Sequence, residues 1–281
     1  MQNKTKHNRL PRNFHSSFKA ERQYINALLK FVAEGSIGDI HMISRRTGIP
    51  TGESTGKVLP TIDYCSAMGL IEAKRDKEGV IKADLTDFGR VVLKEDPYLL
   101  TEISQWVCHL NLCNIYSGAD VWHNVFWAEY HSIGDRFSRE DLEEMLQHKY
   151  GKSNRSLIGP MITMYQDHSS FKTCGALTTN NNLLERKHAP IENEMIRMYG
   201  AWMIDGIERY FPNENQISTS DLDKHIGWLS ITGWHGKEMV EVLDMMEIKG
   251  IFKVDRHMMP WIISPLIGST AAYHSAFDDL I

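Results

Sequence analysis

Apolar residues recur at helical spacing through most of the chain, and the exceptions are short. Residues 20–34 place Tyr24, Ala27, Leu28, Phe31 and Val32 on one side of an amphipathic helix, which Gly35 ends. Ser36 followed by Asp39 predicts a capped short helix through His41, Met42 and Ile43. Gly48, Pro50 and Gly52 make a tight turn. A third helix is expected from about Ser54 to Met68, burying Val58, Leu59, Ile62 and Cys65, with Pro60 tolerated near its first turn. The period then changes. Residues 70–74 and 80–85 are strand-like runs about the polar turn 75–79, and helix restarts at Thr86-Asp87-Phe88-Gly89-Arg90. Helix, short helix, turn, helix and two-stranded ribbon is the order of a winged helix-turn-helix.

The middle is helical and aromatic. Residues 99–115 carry Ile103, Trp106, Val107 and Leu110 at helical spacing, and 121–131 carry Trp122, Val125, Phe126 and Trp127. Ser138 with Asp141 caps a helix to Tyr150, another covers 153–165, and 174–182 reads as loop or short strand. The first theme then returns. A long helix is expected over 191–210, a short one opened by Ser220 with Asp223, another over 236–247, and a ribbon from 250–254 and 261–263. The expected class is mainly α: a basic arm (1–18), a winged helix-turn-helix module (19–96), a helical aromatic-rich region (97–175) and a second winged-helix-like module (185–281).

Composition changes this picture little: 42% hydrophobic and 24% charged residues in 281 are ordinary for a globular chain. Charge changes it more. Residues 1–57 hold ten Lys and Arg against four acids, 10 − 4 = +6, so the remainder carries −11 of the net −5. Such asymmetry fits one nucleic-acid face and one neutral or acidic partner face. No apolar run reaches membrane-spanning length and the start lacks a secretory core, so no membrane contact and a cytoplasmic location are expected. Cys65, Cys108, Cys113 and Cys174 form no Cys-x-x-Cys pair. Cys108 and Cys113 flank His109 at a spacing that fits no common zinc pattern, so buried thiols are expected.

In a winged helix the third helix usually enters the major groove and the wing reaches phosphate or the minor groove. The expected DNA contacts are therefore Arg45, Arg46, Thr51, Ser54, Thr55 and Lys57, with Lys74, Arg75, Lys77 and Lys82 on the wing. Glu238, Glu241, Asp244 and Glu247 make the corresponding helix of the second module acidic, which suits DNA less. The stripe Trp106, Trp122, Phe126 and Trp127 reads as core before base-stacking platform. Phosphate loops, dinucleotide fingerprints and nucleophile elbows are absent, as is any compact His-Glu-x-x-His or paired-acid signature. His15 and Glu129 are the remaining catalytic candidates, a structural role being the first reading of Glu129; metal ligands cannot be assigned.

Several phrases point to one family. They are Phe14-His15-Ser16-Ser17-Phe18, Met68-Gly69-Leu70-Ile71, Leu85-Thr86-Asp87-Phe88-Gly89, Asp96-Pro97-Tyr98-Leu99, Trp106-Val107-Cys108-His109-Leu110, the 122–130 segment and Phe137-Ser138-Arg139-Glu140-Asp141-Leu142. Over roughly the first 180 residues the chain resembles the family of SspB, the DNA-nicking component of bacterial single-strand phosphorothioation defence systems. The family's opening motif reads His-Glu-Thr-Phe, so Ser16 stands where it has an acid. The resemblance implies double-stranded DNA as substrate, a nicking endonuclease activity with magnesium or manganese, and a cysteine desulfurase, an ATP-using sulfur-transfer protein and an ATPase as partners. Two other readings stay open: a non-enzymatic winged-helix transcriptional regulator, and a scaffold whose modules contact proteins.

Overall fold

The computed structural model describes residues 8–52, 56–151 and 155–280; Ser54 and Thr55 lie outside them. The chain is mainly α, with three small sheets, and divides after Lys187 into two compact units, Met1–Lys187 and His188–Ile281. Among the described residues no helix is long and apolar enough to cross a membrane.

The first unit runs α1 (Arg22–Ala33), α2 (Ile40–Thr47), α3 (Val58–Ala67), the antiparallel hairpin β1 (Ile71–Arg75) and β2 (Ile81–Leu85), then α4 (Asp87–Glu95) and α5 (Glu102–Leu112). It continues with α6 (Asp120–His123), a π-helical turn (Asn124–Ala128), α7 (Tyr130–Ile133), β3 (Arg136–Ser138), α8 (Arg139–Tyr150) and α9 (Arg155–Gln166). The strands β4 (Leu177–Asn180) and β5 (Leu183–Arg186) close it, β5 lying between β3 and β4.

Local chemistry sets the ends. Asp39 itself caps α2 by accepting from the Met42 N–H at 2.7 Å, so Ser36 plays no part in the cap that its spacing suggested. Thr86 caps α4, and Ser138 and Asp141 form the expected reciprocal box at the start of α8. Gly89 is needed because a Cβ there would lie 1.9 Å from the Leu70 carbonyl oxygen; α4 packs directly on the backbone entering the hairpin. Gly38 makes one further antiparallel bridge with Ile81, tying the start of α2 to the hairpin.

The core of this unit is built around α5, whose Trp106, Val107, Cys108, Leu110 and Leu112 are all buried. Trp122 and Phe126 join Trp106 inside, so the aromatic stripe is largely core, with Trp127 half-exposed. All four cysteines are free and buried. Burial pushes each thiol up from its ordinary pKa.

One helix expected over 121–131 is broken into α6, the π turn and α7. The cause is Arg186 at the end of β5. Its buried guanidinium donates to the carbonyls of Val125, Tyr130 and Gly134 and stacks over the rings of Tyr130 and Phe137. Carbonyls that a continuous helix would satisfy are turned toward the cation instead.

The second unit holds α10 (Ile196–Tyr210), β6 (Ile217–Ser218), α11 (Thr219–Ile226), α12 (Lys237–Ile248), β7 (Phe252–Asp255), β8 (Ile262–Pro265) and α13 (Ser269–His274). β8 pairs antiparallel with both β6 and β7. α10 is buried almost all round. At Gly200 it meets the Ile251 side chain so closely that a Cβ would fall 2.7 Å from it. The cap of α11 is Ser218 with Asp221, two residues before the pair read from sequence. Asp223 instead accepts from Leu229 N–H, Ser230 N–H and the Ser230 hydroxyl, fixing the turn that follows the helix.

Replacing Arg186 by Met leaves three inward carbonyls without a donor. We expect a loss of about 3 kcal/mol or more, read by urea unfolding. Ser138→Ala at the α8 cap is expected to cost only about 1 kcal/mol. Equal losses at the two positions would count against the role given to Arg186.

Candidate functional site

The hairpin β1–β2 carries the wing cations expected from the sequence, Lys74, Arg75, Lys77 and Lys82, interleaved with Glu72, Asp76, Glu78 and Asp84. Lys74 and Lys82 are directly opposed in the antiparallel register, so both ammonium groups project from the same face. Like charges opposite one another weaken a hairpin, and here the next opposed pair on that face, exposed Glu72 and Asp84, brings anions diagonal to the lysines. Both lysines are exposed, as are Arg75 and Lys77 near the turn. No ion-pair partner lies beside Lys74, Lys77 or Lys82 among the described residues. Arg75 stands within electrostatic reach of half-buried Asp63, whose carboxyl burial pushes up to about 6 against the pull of that arginine.

The helix expected to enter the groove does not face outward. Every residue of α3 is buried or half-buried, and Tyr64, Thr61 and Cys65 point into the core. Tyr64 donates its hydroxyl to the Phe18 carbonyl and sits edge-on to Phe14 and Trp122. Lys57 is locked as well. It bridges to Glu21 at 2.5 Å and lies over the rings of Phe18 and Tyr24 at 5.2 and 5.3 Å. Thr51 is half-exposed; Arg45 and Arg46 are exposed on α2, Arg46 being paired with Glu34 at 2.7 Å.

His15 is 2% exposed. Its Nδ1 accepts from the Ser17 N–H at 3.1 Å, so the ring proton is on Nε2, which no acceptor meets in good hydrogen-bonding geometry. Burial holds its pKa down at about 4, against the pull of the backbone at Leu157 and Arg12. The following Ser16 and Ser17 both take left-handed backbone, φ 46° and 68°, and are exposed. This histidine belongs to the packing of Phe14 and Trp122, with no open path to a substrate.

Glu129 lines an open cleft of about 610 Å³ with Asp141, Glu144, Met145, His148 and Lys149. Lys149 bridges it at 2.7 Å and the Ser132 hydroxyl donates to it, holding its carboxyl below the usual range. Among the described residues no three His, Cys, Asp or Glu side chains converge as metal ligands. Around Glu129 the described residues therefore form no metal cage.

A second constellation was not picked out from the sequence. The arm runs beside α6: Leu10 makes a parallel bridge with Ala119, and Asp120 N–H donates to the Leu10 carbonyl. Arg9 pairs with Asp120 at 3.1 Å and donates to the Ile115 carbonyl. Asp120 also accepts from the Tyr150 hydroxyl, and Asn124 donates to that hydroxyl oxygen at 2.7 Å. Arg12 stacks over the Tyr150 ring. His123, one helical turn after Asp120, sets Nδ1 3.0 Å from the Cys113 carbonyl. A carbonyl only accepts, so Nδ1 carries the proton and Nε2 keeps a lone pair. Burial holds His123 down at about 4, against that hydrogen bond and with Arg9 and Lys149 adding to the fall. The i, i+3, i+4 spacing of Asp120, His123 and Asn124 is the one trace of this group in the sequence.

His15, His109 and His123 are all held neutral, at about 4, 3 and 4, chiefly by burial. The unfolded chain takes up protons near the ordinary value of 6.5, while the folded chain refuses them. Their stabilisation is complete above that value and falls as pH drops toward 4, by about 1.4 kcal/mol per pH unit for each histidine. Urea unfolding near pH 7 and near pH 5 should show the chain several kcal/mol weaker in acid; equal stability at both would refute the burial.

No family model matches the chain, and no curated protein matches it. Among solved structures it is similar to a crystal structure of magnesium-bound SspB, with a TM-score of 0.68 and 14% identity over 98% of this chain and 88% of that one. A second SspB crystal structure gives 0.66 at the same identity and coverage. At that identity the likeness establishes the fold: the chain folds as SspB does.

Proposed function

We propose that this protein is the DNA-engaging component of a phosphorothioate modification system, gripping the sugar-phosphate backbone and opening one strand for sulfur incorporation. The observation that carries the reading is the opposed pair Lys74 and Lys82, with Lys77 near the turn, all three exposed on the hairpin. The SspB fold supports the choice of system. Residues 22–95 act in this reading as a winged helix, supported by the element order and by the bridge from Gly38 to the hairpin; the second unit, with the order helix, helix, ribbon, is its counterpart.

The covered α3 supports a backbone-gripping mode of binding. With no exposed side chain on that helix, base edges in the major groove go unread, and affinity comes from phosphate contacts made by the wing. That counts against an operator-reading regulator. The second unit carries 7 Lys and Arg against 14 Asp and Glu, 7 − 14 = −7, and the acids of α12 suit contact with partner proteins more than DNA. The desulfurase, the sulfur-transfer protein and the ATPase of such a system are the partners proposed.

Neutralising Lys74, Lys77 and Lys82 together is expected to reduce the slope of log affinity against log salt for duplex DNA by up to about 2.7, roughly 0.9 for each phosphate that no longer meets a cation. Lys57→Met should lower the melting temperature and leave that slope alone, since its charge is already used by Glu21. Supercoiled plasmid, followed to open circle with magnesium, manganese or excess chelator, measures strand opening and its metal requirement. An unaltered salt slope in the triple variant would remove the wing from the DNA interface.

A further inference from the structure

The turn between α4 and α5 displays an aromatic ring that the core does not use. Leu99 takes a left-handed backbone, φ 50°, that a bulky side chain rarely adopts, and is fully buried. Its neighbours Tyr98 and Leu100 stay outside, 49% and 61% exposed. Buried Asp96 fixes this shape by accepting from the Leu100 and Thr101 N–H groups and the Thr101 hydroxyl. Joining two helices requires the inward leucine and the aspartate; it does not require a tyrosine set open beside them. Cations gather near that ring. Lys30 stands 5.7 Å from its centroid, and the Arg22 guanidinium donates to the Tyr98 carbonyl at 2.9 Å and to the His168 carbonyl. One guanidinium thus spans the two backbones, which brings exposed His168 near Tyr98, and Lys172 donates to Nε2 of His168 at 3.0 Å. Among the described residues no carboxylate pairs with Arg22, Lys30 or Lys172. The acids that adjoin these segments, Glu21, Glu95 and Asp167, are each paired with another lysine: Lys57, Lys94 and Lys19.

We propose that Lys30, Tyr98, His168 and Lys172, with Arg22 between them, form a seat for single-stranded DNA. This deepens the strand-opening reading and rests on it, since opening a duplex is what frees an unpaired strand. A base within a duplex has both faces covered by its neighbours, whereas an unpaired base can lay one face on the exposed Tyr98 ring. Lys30 beside that ring and Lys172 beside His168 meet phosphates of the stacked nucleotides. Arg22 is held by carbonyls and keeps its charge unspent between them. An acidic protein would also suit the lysines, but an open ring flanked by cations matches the alternation of base and phosphate along a strand. Every base has a face to stack, so the seat takes any sequence.

The test titrates the full chain with fluorescent oligothymidylate and with an abasic oligomer carrying the same phosphates. Tyr98→Ala should weaken oligothymidylate binding about tenfold or more, Tyr98→Trp should keep it, and the abasic oligomer should bind the parental chain and Tyr98→Ala alike. Lys30→Ala and Lys172→Ala together should lower the salt slope for the single strand by up to about 1.4, roughly 0.7 for each. Melting curves check folding, and Tyr98→Leu, which keeps bulk without the ring, serves where Tyr98→Ala is unstable. Parental affinity of a folded Tyr98→Ala or Tyr98→Leu chain for oligothymidylate overturns the seat, as does a parental chain with no affinity for it. If Tyr98→Ala binds the single strand as before but releases the partner proteins proposed above, the surface is a protein contact and the proposal falls. Tyr98-dependent binding by a chain that leaves supercoiled plasmid intact upholds the seat and removes strand opening. Plasmid opened by a chain whose single-strand binding ignores Tyr98 does the reverse.

Discussion

Three helices of the first unit meet at one hydroxyl. The indole N–H of Trp122 on α6 can only donate, and it donates to the Tyr165 oxygen on α9 at 3.0 Å. The Tyr165 proton must then go elsewhere, and Nδ1 of His109 on α5 stands 2.6 Å away. The arrangement that leaves no proton unpaired makes His109 a neutral acceptor, in agreement with the way burial lowers its pKa. In a fully apolar surround each of these bonds is strong and each missing one is expensive. α5, α6 and α9 are therefore held in one relation, and α6 carries Asp120, His123 and Asn124 with it. Cys113, which directly follows α5, supplies the carbonyl that orients His123. The order of this part-buried group is inherited from a fully buried one.

Local periodicity carried most of the architecture. α1, α2, the hairpin, α8 and the C-terminal ribbon lie within a few residues of their expected places, because each has a cap, a turn or an alternation that acts within one segment. The errors come from partners far along the chain. Nothing near residue 124 announces that Arg186 will draw its carbonyls out of helical order. Nor does the sequence of α3 announce that α1, α2, β1 and α5 will all pack against it and leave none of its side chains fully exposed.

The candidate site divides in the same way. Lys74 and Lys82 were legible because hairpin register follows from the turn and the alternation. Lys57 was legible as a cation and not as a spent one; Glu21, thirty-six residues earlier, had to be seen beside it. Arg9 and Arg12 entered only as members of a charge count, and Tyr150 only as the end of a helix. Assembly of the arm against α6 and α8 gives those residues different fates: one arginine neutralised, the other stacked and open.

The four buried thiols set a limit on what this chain can do within sulfur chemistry. A persulfide is handed on by a thiolate that can reach its donor and its acceptor, and Cys65, Cys108, Cys113 and Cys174 can neither ionise readily nor come to the surface while the core stays closed. Its cysteines are shielded from sulfane sulfur and from oxidants while the core stays closed. In the proposed role it would attend reactive sulfur carriers without its cysteines being modified, and the sulfur would travel on thiols other than its own.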